Sequence, residues 1–178
     1  MSVGMLILRV VVGLLFIGHG TQKLFGWFGG GGPEGTSQFF GSLGYRSPRT
    51  MALVGGLTEA VGGVLVLLGL LTPLGSALIV GMMLSAILAV HIDKGLWNSN
   101  GGIELPLVFI ASATAIAFGP GRYAIDRALD FGLDGKLSGV LALSIGLLAG
   151  VAVEVTMRST AAPSNASDEP TEEHRAAA

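Results

Sequence analysis

The sequence predicts an all-α membrane protein: a bundle of four transmembrane helices with an additional fifth transmembrane helix at the C-terminal end. Three observations predict this class. Of the 178 residues, 51% are hydrophobic and only 12% are charged, which is about half the charged fraction of an ordinary soluble domain. The third observation is the spread of 29 glycines through apolar runs. Glycine is frequent in transmembrane helices because it lets backbones approach closely.

The predicted spans are five apolar segments, measured against the roughly 20 residues that cross a hydrocarbon core about 30 Å thick. They cover residues 3–25, 50–71, 74–92, 103–118 and 137–157. Arg9 interrupts the first apolar run and no A-x-A cleavage site follows it, so we expect a retained helix and not a signal peptide. The fourth segment is short, with Pro106 near its start, where a missing N–H is tolerated.

The connections between these segments differ in kind. "LTPLG" predicts a tight turn, which makes the second and third helices antiparallel neighbours. Residues 26–49 form a long glycine-rich loop, and residues 123–133 predict a short helix in the interface. We therefore divide the chain into a four-helix membrane domain (1–134), an additional transmembrane helix (135–157) and a disordered polar tail (158–178).

Five crossings would give the bundle two ends, which we name face A and face B. Face A carries the N-terminus, the turn between the second and third helices, and the loop between the fourth and fifth. Face B carries the other two loops and the C-terminal tail. Trp27, Phe28 and Trp97 fall on face B, as in an interfacial aromatic belt. Positive residues are nearly balanced between the faces, so they predict no orientation.

Several ionisable residues lie within or beside the apolar segments, where each costs roughly 2.5–3.5 kcal/mol at the bilayer centre. Arg9, His19 and Lys23 share one arc of the first helix at 100° per residue, and glycines flank Glu59 on the second. His19 and Glu59 would lie roughly 9 and 13 Å from the face-B ends of their helices. The sequence thus predicts a polar intramembrane cluster in the face-B half, made of His19, Lys23, Glu59, His91 and Glu104.

Each of these residues also has a simpler interpretation. Lys23 would snorkel to the interface, and Arg9 would do so at face A. His91 would be a polar loop end, and Glu104 would be favoured by the helix dipole alone. Glu59 would form a buried pair that fixes helix packing. Glu154, near the end of the fifth segment, is expected at the surface. Arg122 and Asp126, with Arg9, are candidates for an interface or structural role.

The composition also excludes several kinds of chemistry. The chain has no cysteine, which excludes disulfides, thiol redox catalysis and cysteine-ligated iron–sulfur or zinc sites within it. No metal site is predicted, and no basic stripe indicates nucleic acid. No cofactor motif is evident, so any electrons would have to come from a partner protein.

Five stretches occur in the order typical of one family. They are "LRVVVGLLFIGHGTQKLFGWFG", "GGLTEAVGGVLVLLGLLTPLGS", "AVHIDKGLW", "NGGIELPLVFI" and "GPGRYAIDRAL". From about Leu6 to Leu129 the chain resembles the DoxX family of small bacterial membrane proteins. The family's HG-x-x-K falls on His19, Gly20 and Lys23, its helix 2 glutamate on Glu59 and its helix 3 histidine on His91. Its G-x-E-x-P falls on Gly102, Glu104 and Pro106, and its GPG-R…D on Gly119 to Arg122 and Asp126.

The resemblance implies a four-helix bundle in the bacterial cytoplasmic (inner) membrane, with its N-terminus usually in the cytoplasm. It also implies a link to redox chemistry. Relatives are subunits of thiosulfate:quinone oxidoreductase, or join membrane complexes with superoxide dismutase and a thiol-linked sulfurtransferase. This chain departs from the family pattern by its fifth helix and acidic tail.

Three functions remain open at this stage. The first is a membrane subunit of an oxidoreductase complex, in which the polar cluster binds a quinone, Glu59 serves as carboxylate and His19 exchanges protons. If the chain has redox activity, it would act as a subunit and not as a complete enzyme. The second is a non-catalytic scaffold that recruits redox proteins, and the third is a small-solute or proton pathway. The expected partners are the lipid bilayer, redox proteins and, in a homo-oligomer, further copies of the chain.

Overall fold

A computed structural model of the chain describes residues 2–158, and most of them are helical. The helices are α1 Ser2–Phe25, α2 Gly32–Ser42, α3 Pro48–Leu68, α4 Thr72–Ala86, α5 Glu104–Phe118, α6 Ile125–Ala128 and α7 Lys136–Met157. A π-helical turn, Ile87–His91, and a 3₁₀ turn, Ile92–Lys94, continue α4 toward face B. The predicted disordered tail lies outside the described residues apart from Arg158.

The all-helical class is confirmed, with four helices long and apolar enough to cross a membrane. These are Val3–Phe25, Pro48–Leu68, Thr72–Lys94 and Lys136–Met157. The helix that falls short is α5, the predicted fourth segment, which has 15 residues and is therefore about 22 Å long. The additional C-terminal helix, in contrast, has full length.

The turn between α3 and α4 is tight, as predicted, but α3 ends three residues earlier than expected. Gly69 takes φ 64° and ends the helix in the left-handed conformation, which costs glycine little. Pro73 occupies the first turn of α4, where its missing N–H does not matter. The chain therefore reverses direction within a few residues.

The bundle is organised around two close helix pairs, α1 with α3 and α4 with α7. α1 packs antiparallel against α3, and α4 packs against α3, α5 and α7. α7 runs parallel to α4, because Gly146 lies against Val80 and Gly150 against Leu84. The core between these helices contains Val12, Phe16, Val66, Ile79, Val80, Ala113 and Ile116. Large apolar side chains are also exposed along α1, α3 and α7, as a lipid-facing exterior requires.

Two loop predictions need correction. The predicted loop 26–49 contains the helix α2, which begins with Pro33 in its first turn and buries Phe40 against Tyr45 and Met51. The glycines of this region hid that helix. The predicted interfacial helix over 123–133 is only the four-residue α6, because glycines and a positive φ at Asp130 end it.

Candidate functional site

Glycines bring α1 and α3 into backbone contact in the face-B half of the bundle. A Cβ atom on Gly20 would lie 2.6 Å from the Ala60 nitrogen, and one on Gly63 would lie 2.7 Å from the Gly13 oxygen. Since no larger residue fits at these positions without moving a helix, the two backbones approach closely. This approach places the side chains of Lys23 on α1 and Glu59 on α3 side by side.

Glu59 is the most deeply buried acid of this region, with only 3% of its side chain exposed. Its Oε1 forms an ion pair with Nζ of Lys23, whose side chain is 25% exposed. Its Oε2 is buried and has no hydrogen-bond partner among residues 2–158. A buried carboxylate with one unsatisfied oxygen is costly, so this arrangement is poor as a purely structural pair.

Two histidines line the same cavity as this pair. In each of them Nδ1 contacts a backbone carbonyl oxygen. His19 Nδ1 lies 2.8 Å from the Leu15 carbonyl oxygen, and His91 Nδ1 lies 2.5 Å from the Gly101 carbonyl oxygen. A carbonyl only accepts, so Nδ1 carries the proton and donates in both residues. In the neutral rings Nε2 is therefore a hydrogen-bond acceptor. His91 ends a π-helical turn, a feature frequent at functional sites.

These four residues line one cavity of about 250 Å³. The remaining lining comes from Phe16, Met83, Ala86, Asn98, Leu105, Pro106 and Phe109. Phe16, Glu59 and Pro106 are buried and form the floor, whereas His19 and Leu105 are exposed. The exposed lining residues are His19 on α1, Leu105 on α5 and Asn98 in the loop before α5, so the cavity opens where these three elements meet.

The structure thus brings His19, Lys23, Glu59 and His91 together, but it places Glu104 differently. Glu104 Oε2 accepts a hydrogen bond of 2.9 Å from the Asn98 backbone N–H, and Glu104 is not among the residues that line the cavity. Its carboxylate holds the loop 95–103, whose Asn98 borders the cavity. Glu104 is therefore a positioning residue for the rim.

Sequence reasoning missed the aromatic part of this cavity. Phe16 and Phe109 meet edge to face, with ring centroids 5.2 Å apart. Phe16 precedes His19 by three residues and Lys23 by seven, so it lies on the same helical face, and this spacing was a usable signal. Phe109 and Asn98 had no comparable signal, because their position depends on how α5 and its preceding loop pack.

Arg9 does not snorkel to face A, as predicted, but is buried with 1% exposure. Its guanidinium donates to three carbonyl oxygens, those of Val66 at 3.0 Å, Leu67 at 2.9 Å and Pro120 at 3.0 Å. Two of these belong to the last turn of α3, whose carbonyls have no partner within the helix. Arg9 therefore ties the end of α3 to the loop after α5.

Asp126 completes this face-A cluster, whereas Arg122 does not join it. The Asp126 carboxylate accepts bonds from the backbone N–H of Leu71 and Thr72, at 2.7 and 2.8 Å, and from the Thr72 hydroxyl at 2.6 Å. It thus caps the beginning of α4 from α6. Arg122 is exposed and lies over the ring of Tyr123, 5.9 Å from its centroid.

The expectation that Glu154 lies at the surface is also wrong, because it is 8% exposed. Its Oε1 accepts a hydrogen bond from the Tyr45 hydroxyl. Its Oε2 is buried without a hydrogen-bond partner among residues 2–158 and lies 3.6 Å from the Arg158 guanidinium. The Arg46 N–H donates to the Met157 carbonyl at 2.9 Å. These contacts attach the end of α7 to the segment between α2 and α3.

The face-B cavity combines acid–base groups with an apolar floor. Within residues 2–158, no three histidine or carboxylate side chains lie close enough together to hold a metal ion. The arrangement can instead hydrogen-bond an organic molecule, offering Glu59, His19 and His91 as proton acceptors and Lys23 as a cation.

Comparison with known proteins identifies a family and two relatives. The DoxX family profile matches residues 4–92. "Putative oxidoreductase CatD" of Bacillus subtilis (strain 168) is 35% identical over 122 residues, 68% of this chain and 83% of the relative. "Inner membrane protein YphA" of Escherichia coli (strain K12) is 30% identical over 133 residues, 69% of this chain and 88% of the relative. No solved structure shows a significant match.

The family profile covers half of the chain, including His19, Lys23, Glu59 and His91. The four long apolar helices and the inner-membrane relative identify a multi-pass protein of the inner membrane. The chain belongs to the DoxX family.

Proposed function

We propose that the face-B cavity binds a quinone-type redox carrier, and that the chain is the membrane subunit of an oxidoreductase complex. The observation that carries this proposal is Glu59, a carboxylate with 3% exposure whose Oε2 has no hydrogen-bond partner among residues 2–158. Glu59 lines the face-B cavity, and a ligand there would supply the missing donor once the carboxylate turns toward it.

The shape and lining of the cavity support an aromatic ligand that arrives through the bilayer. The opening is bordered by α1, α5 and the loop before α5, and Phe16 and Phe109 present apolar surface inside it. A volume of about 250 Å³ is slightly below the usual range of ligand pockets, so the cavity would hold a ring whose lipid tail stays outside. In this proposal α5, although short, also crosses the membrane, in addition to the four long helices.

The polar residues support proton exchange with that ligand. Reduction of a quinone to a quinol takes two electrons and two protons, and the protons would pass through Glu59 and His19, which reach the cavity from buried and exposed sides. The electrons would come from a partner protein, since the chain has no cysteine and no haem or flavin motif. The relative named a putative oxidoreductase supports a redox role of this kind.

A proton pathway is a second candidate, and one observation favours it. Lys23 borders both the face-B cavity and a second cavity of about 300 Å³, which is lined further by Leu24, Pro33, Glu34, Arg49, Ala52 and Leu53. Protons released at Glu59 would then reach face B past Lys23 and Glu34. This pathway would serve a redox subunit equally well.

The experiment is a binding measurement on the full chain purified in detergent, with a short-chain quinol, whose hydroxyl groups can donate to a carboxylate, titrated into the wild type and Glu59→Gln. We expect Glu59→Gln to weaken binding about tenfold, because a hydrogen bond to a charged group contributes about 1.5–3 kcal/mol. Glu154→Gln is the matched control, since Glu154 is also buried in the face-B half but lies outside the cavity.

Unchanged affinity in Glu59→Gln would contradict the proposed site. A chain that binds no quinol, yet still co-purifies with redox proteins, would indicate the scaffold function. Proton flux in proteoliposomes without any redox partner would indicate the pathway as the primary function.

A further inference from the structure

A second ligand-sized space lies on the outside of the bundle, between α3 and α7 and over α4. This α3–α7 groove has a volume of about 210 Å³ and shares no lining residue with the face-B cavity. Both walls pack against α4, but α3 and α7 have little contact with each other. The space between them is left by small buried residues, which are Gly55, Ala77, Gly81 and Gly150.

The α3–α7 groove is apolar and open to the surroundings of the bundle. Its lining is apolar apart from the hydroxyl groups of Tyr45, Thr58 and Ser85. Lining residues on all three helices are exposed, namely Val54, Leu74, Ile145 and Ala149. Because these helices cross the membrane, the groove is continuous with the lipid-facing exterior, and hydrocarbon is the material that its surface favours.

The length of the groove suits a single acyl chain. Along α4 the lining extends from Leu74 to Ser85, which is about 16 Å at 1.5 Å per residue. One leaflet is half of a hydrocarbon core about 30 Å thick, so one acyl chain spans about 15 Å. An acyl chain that lies in the groove would therefore be in contact with α3, α4 and α7 over most of its length.

Two arginines lie at the face-B end of the groove. Tyr45 borders that end, and Arg46 is the next residue. The Arg46 backbone N–H donates to the Met157 carbonyl at 2.9 Å, which brings Arg46 next to Arg158. Arg46 is exposed, and Arg158 lies 3.6 Å from the Glu154 carboxylate. The two arginines and Glu154 thus leave one net positive charge, which complements the single negative charge of a phosphodiester.

We propose that the α3–α7 groove binds one anionic phospholipid, with an acyl chain in the groove and the phosphate at Arg46 and Arg158. The lipid fills the space between α3 and α7, so it attaches the C-terminal helix to the rest of the bundle. That helix lies beyond the residues that the family profile matches. The site is separate from the face-B cavity, so the outcome of its test does not depend on quinone binding.

The test is native mass spectrometry of the full chain, titrated in detergent with phosphatidylglycerol or with zwitterionic phosphatidylcholine of the same acyl chains. We expect one phosphatidylglycerol to bind about tenfold more tightly than phosphatidylcholine, because arginines at the membrane surface attract anionic headgroups. Arg46→Gln should lower this preference several-fold. Arg122→Gln, an exposed arginine of face A, is the control and should keep it. Equal binding of the two lipids by the wild type would overturn the proposal.

A second variant tests whether the acyl chain occupies the groove. Ala149 lines the groove and is exposed, so Ala149→Phe narrows the groove from its rim with little risk to folding. We expect it to weaken phosphatidylglycerol binding about tenfold and to abolish the rise in unfolding temperature that the lipid gives the wild type. Ala152→Phe, on an exposed part of α7 outside the groove, is the matched control. Equal lipid binding and equal stabilisation in these two variants would exclude the groove as the site.

Discussion

The two polar clusters of this bundle differ in how completely the protein satisfies their buried hydrogen-bonding groups. At face A, Arg9 donates to three carbonyls and Asp126 accepts three bonds, so both buried charges are satisfied by the protein. At face B, Glu59 keeps an oxygen without a partner among residues 2–158, and His19 and His91, each bonded through Nδ1 to a backbone carbonyl, line a cavity.

The two clusters look alike in sequence, but they differ in how far the protein itself satisfies their buried charges. A buried charge saturated by backbone groups stabilises one arrangement of helices and has no capacity left for a ligand. A buried charge left open costs stability unless something outside the chain completes it. The following predictions test that distinction from the largest expected effect on stability to the smallest.

Replacing Arg9 at face A should cause the largest loss of stability. Arg9→Met leaves the Val66, Leu67 and Pro120 carbonyls without their donor, and each unsatisfied buried group costs about 1–3 kcal/mol. We expect a loss of at least about 3 kcal/mol, measured by unfolding in detergent. Arg122→Met, an exposed arginine of the same face, is the control and should change little. Equal effects of the two substitutions would contradict the structural role of Arg9.

A methyl group added between α1 and α3 should disturb the face-B cluster by separating the two helices that carry Lys23 and Glu59. Gly20→Ala places Cβ 2.6 Å from the Ala60 nitrogen, so the helices must separate, at a cost of about 1–3 kcal/mol. The separation should also weaken the Lys23–Glu59 pair and ligand binding. Gly18→Ala has no heavy atom within 4 Å and should be neutral or slightly stabilising, because alanine favours helix. If both variants unfold alike, the close α1–α3 contact is wrong.

The Tyr45–Glu154 contact should contribute less to the free energy of unfolding, and its contribution should depend on pH. Burial, and then the hydrogen bond to Glu154, raise the pKa of the Tyr45 hydroxyl above its ordinary value. A group whose pKa is raised by folding stabilises the fold fully below its unfolded pKa of about 10 and loses that contribution as pH rises further. Tyr45→Phe should lower stability by about 1 kcal/mol at neutral pH. The same variant should flatten the decline of wild-type stability above about pH 10, and a decline of equal slope in both proteins would exclude Tyr45 as its source.

Glu59→Gln should have the smallest effect on stability of the four. The substitution removes a charge that is only half satisfied, and Lys23, at 25% exposure, can turn toward water. We expect a change within about 1 kcal/mol, while quinol binding weakens as described above. A loss as large as that of Arg9→Met would show that the Glu59–Lys23 pair chiefly fixes the helices.

Much of this architecture follows from local features of the sequence. Glycines on either side of Glu59, and the shared arc of His19 and Lys23, predict that the two helices meet at these side chains, and the structure brings those residues into one cavity. The four long helices follow from apolar length alone. These features are visible because helical periodicity carries them within a few turns.

Contacts between distant segments did not follow in the same way. Arg9 meets carbonyls 57 to 111 positions away, and Tyr45 meets Glu154 across 109 positions. A charged residue near a helix end has the same pattern in sequence whether it reaches water or a backbone carbonyl, so Arg9 and Glu154 were both expected at the surface. Only the tertiary packing decides between these two outcomes.

The position of the opening, where α1 and α5 meet the loop before α5, has a consequence for how the proposed carrier would be supplied. A lipid-tailed carrier that enters between α1 and α5 is dissolved in the bilayer, so its effective concentration would be set by partition into lipid and not by its amount in water. Moderate intrinsic affinity then suffices for high occupancy, and turnover depends on diffusion in two dimensions. The membrane itself becomes the reservoir that sets the occupancy of the site.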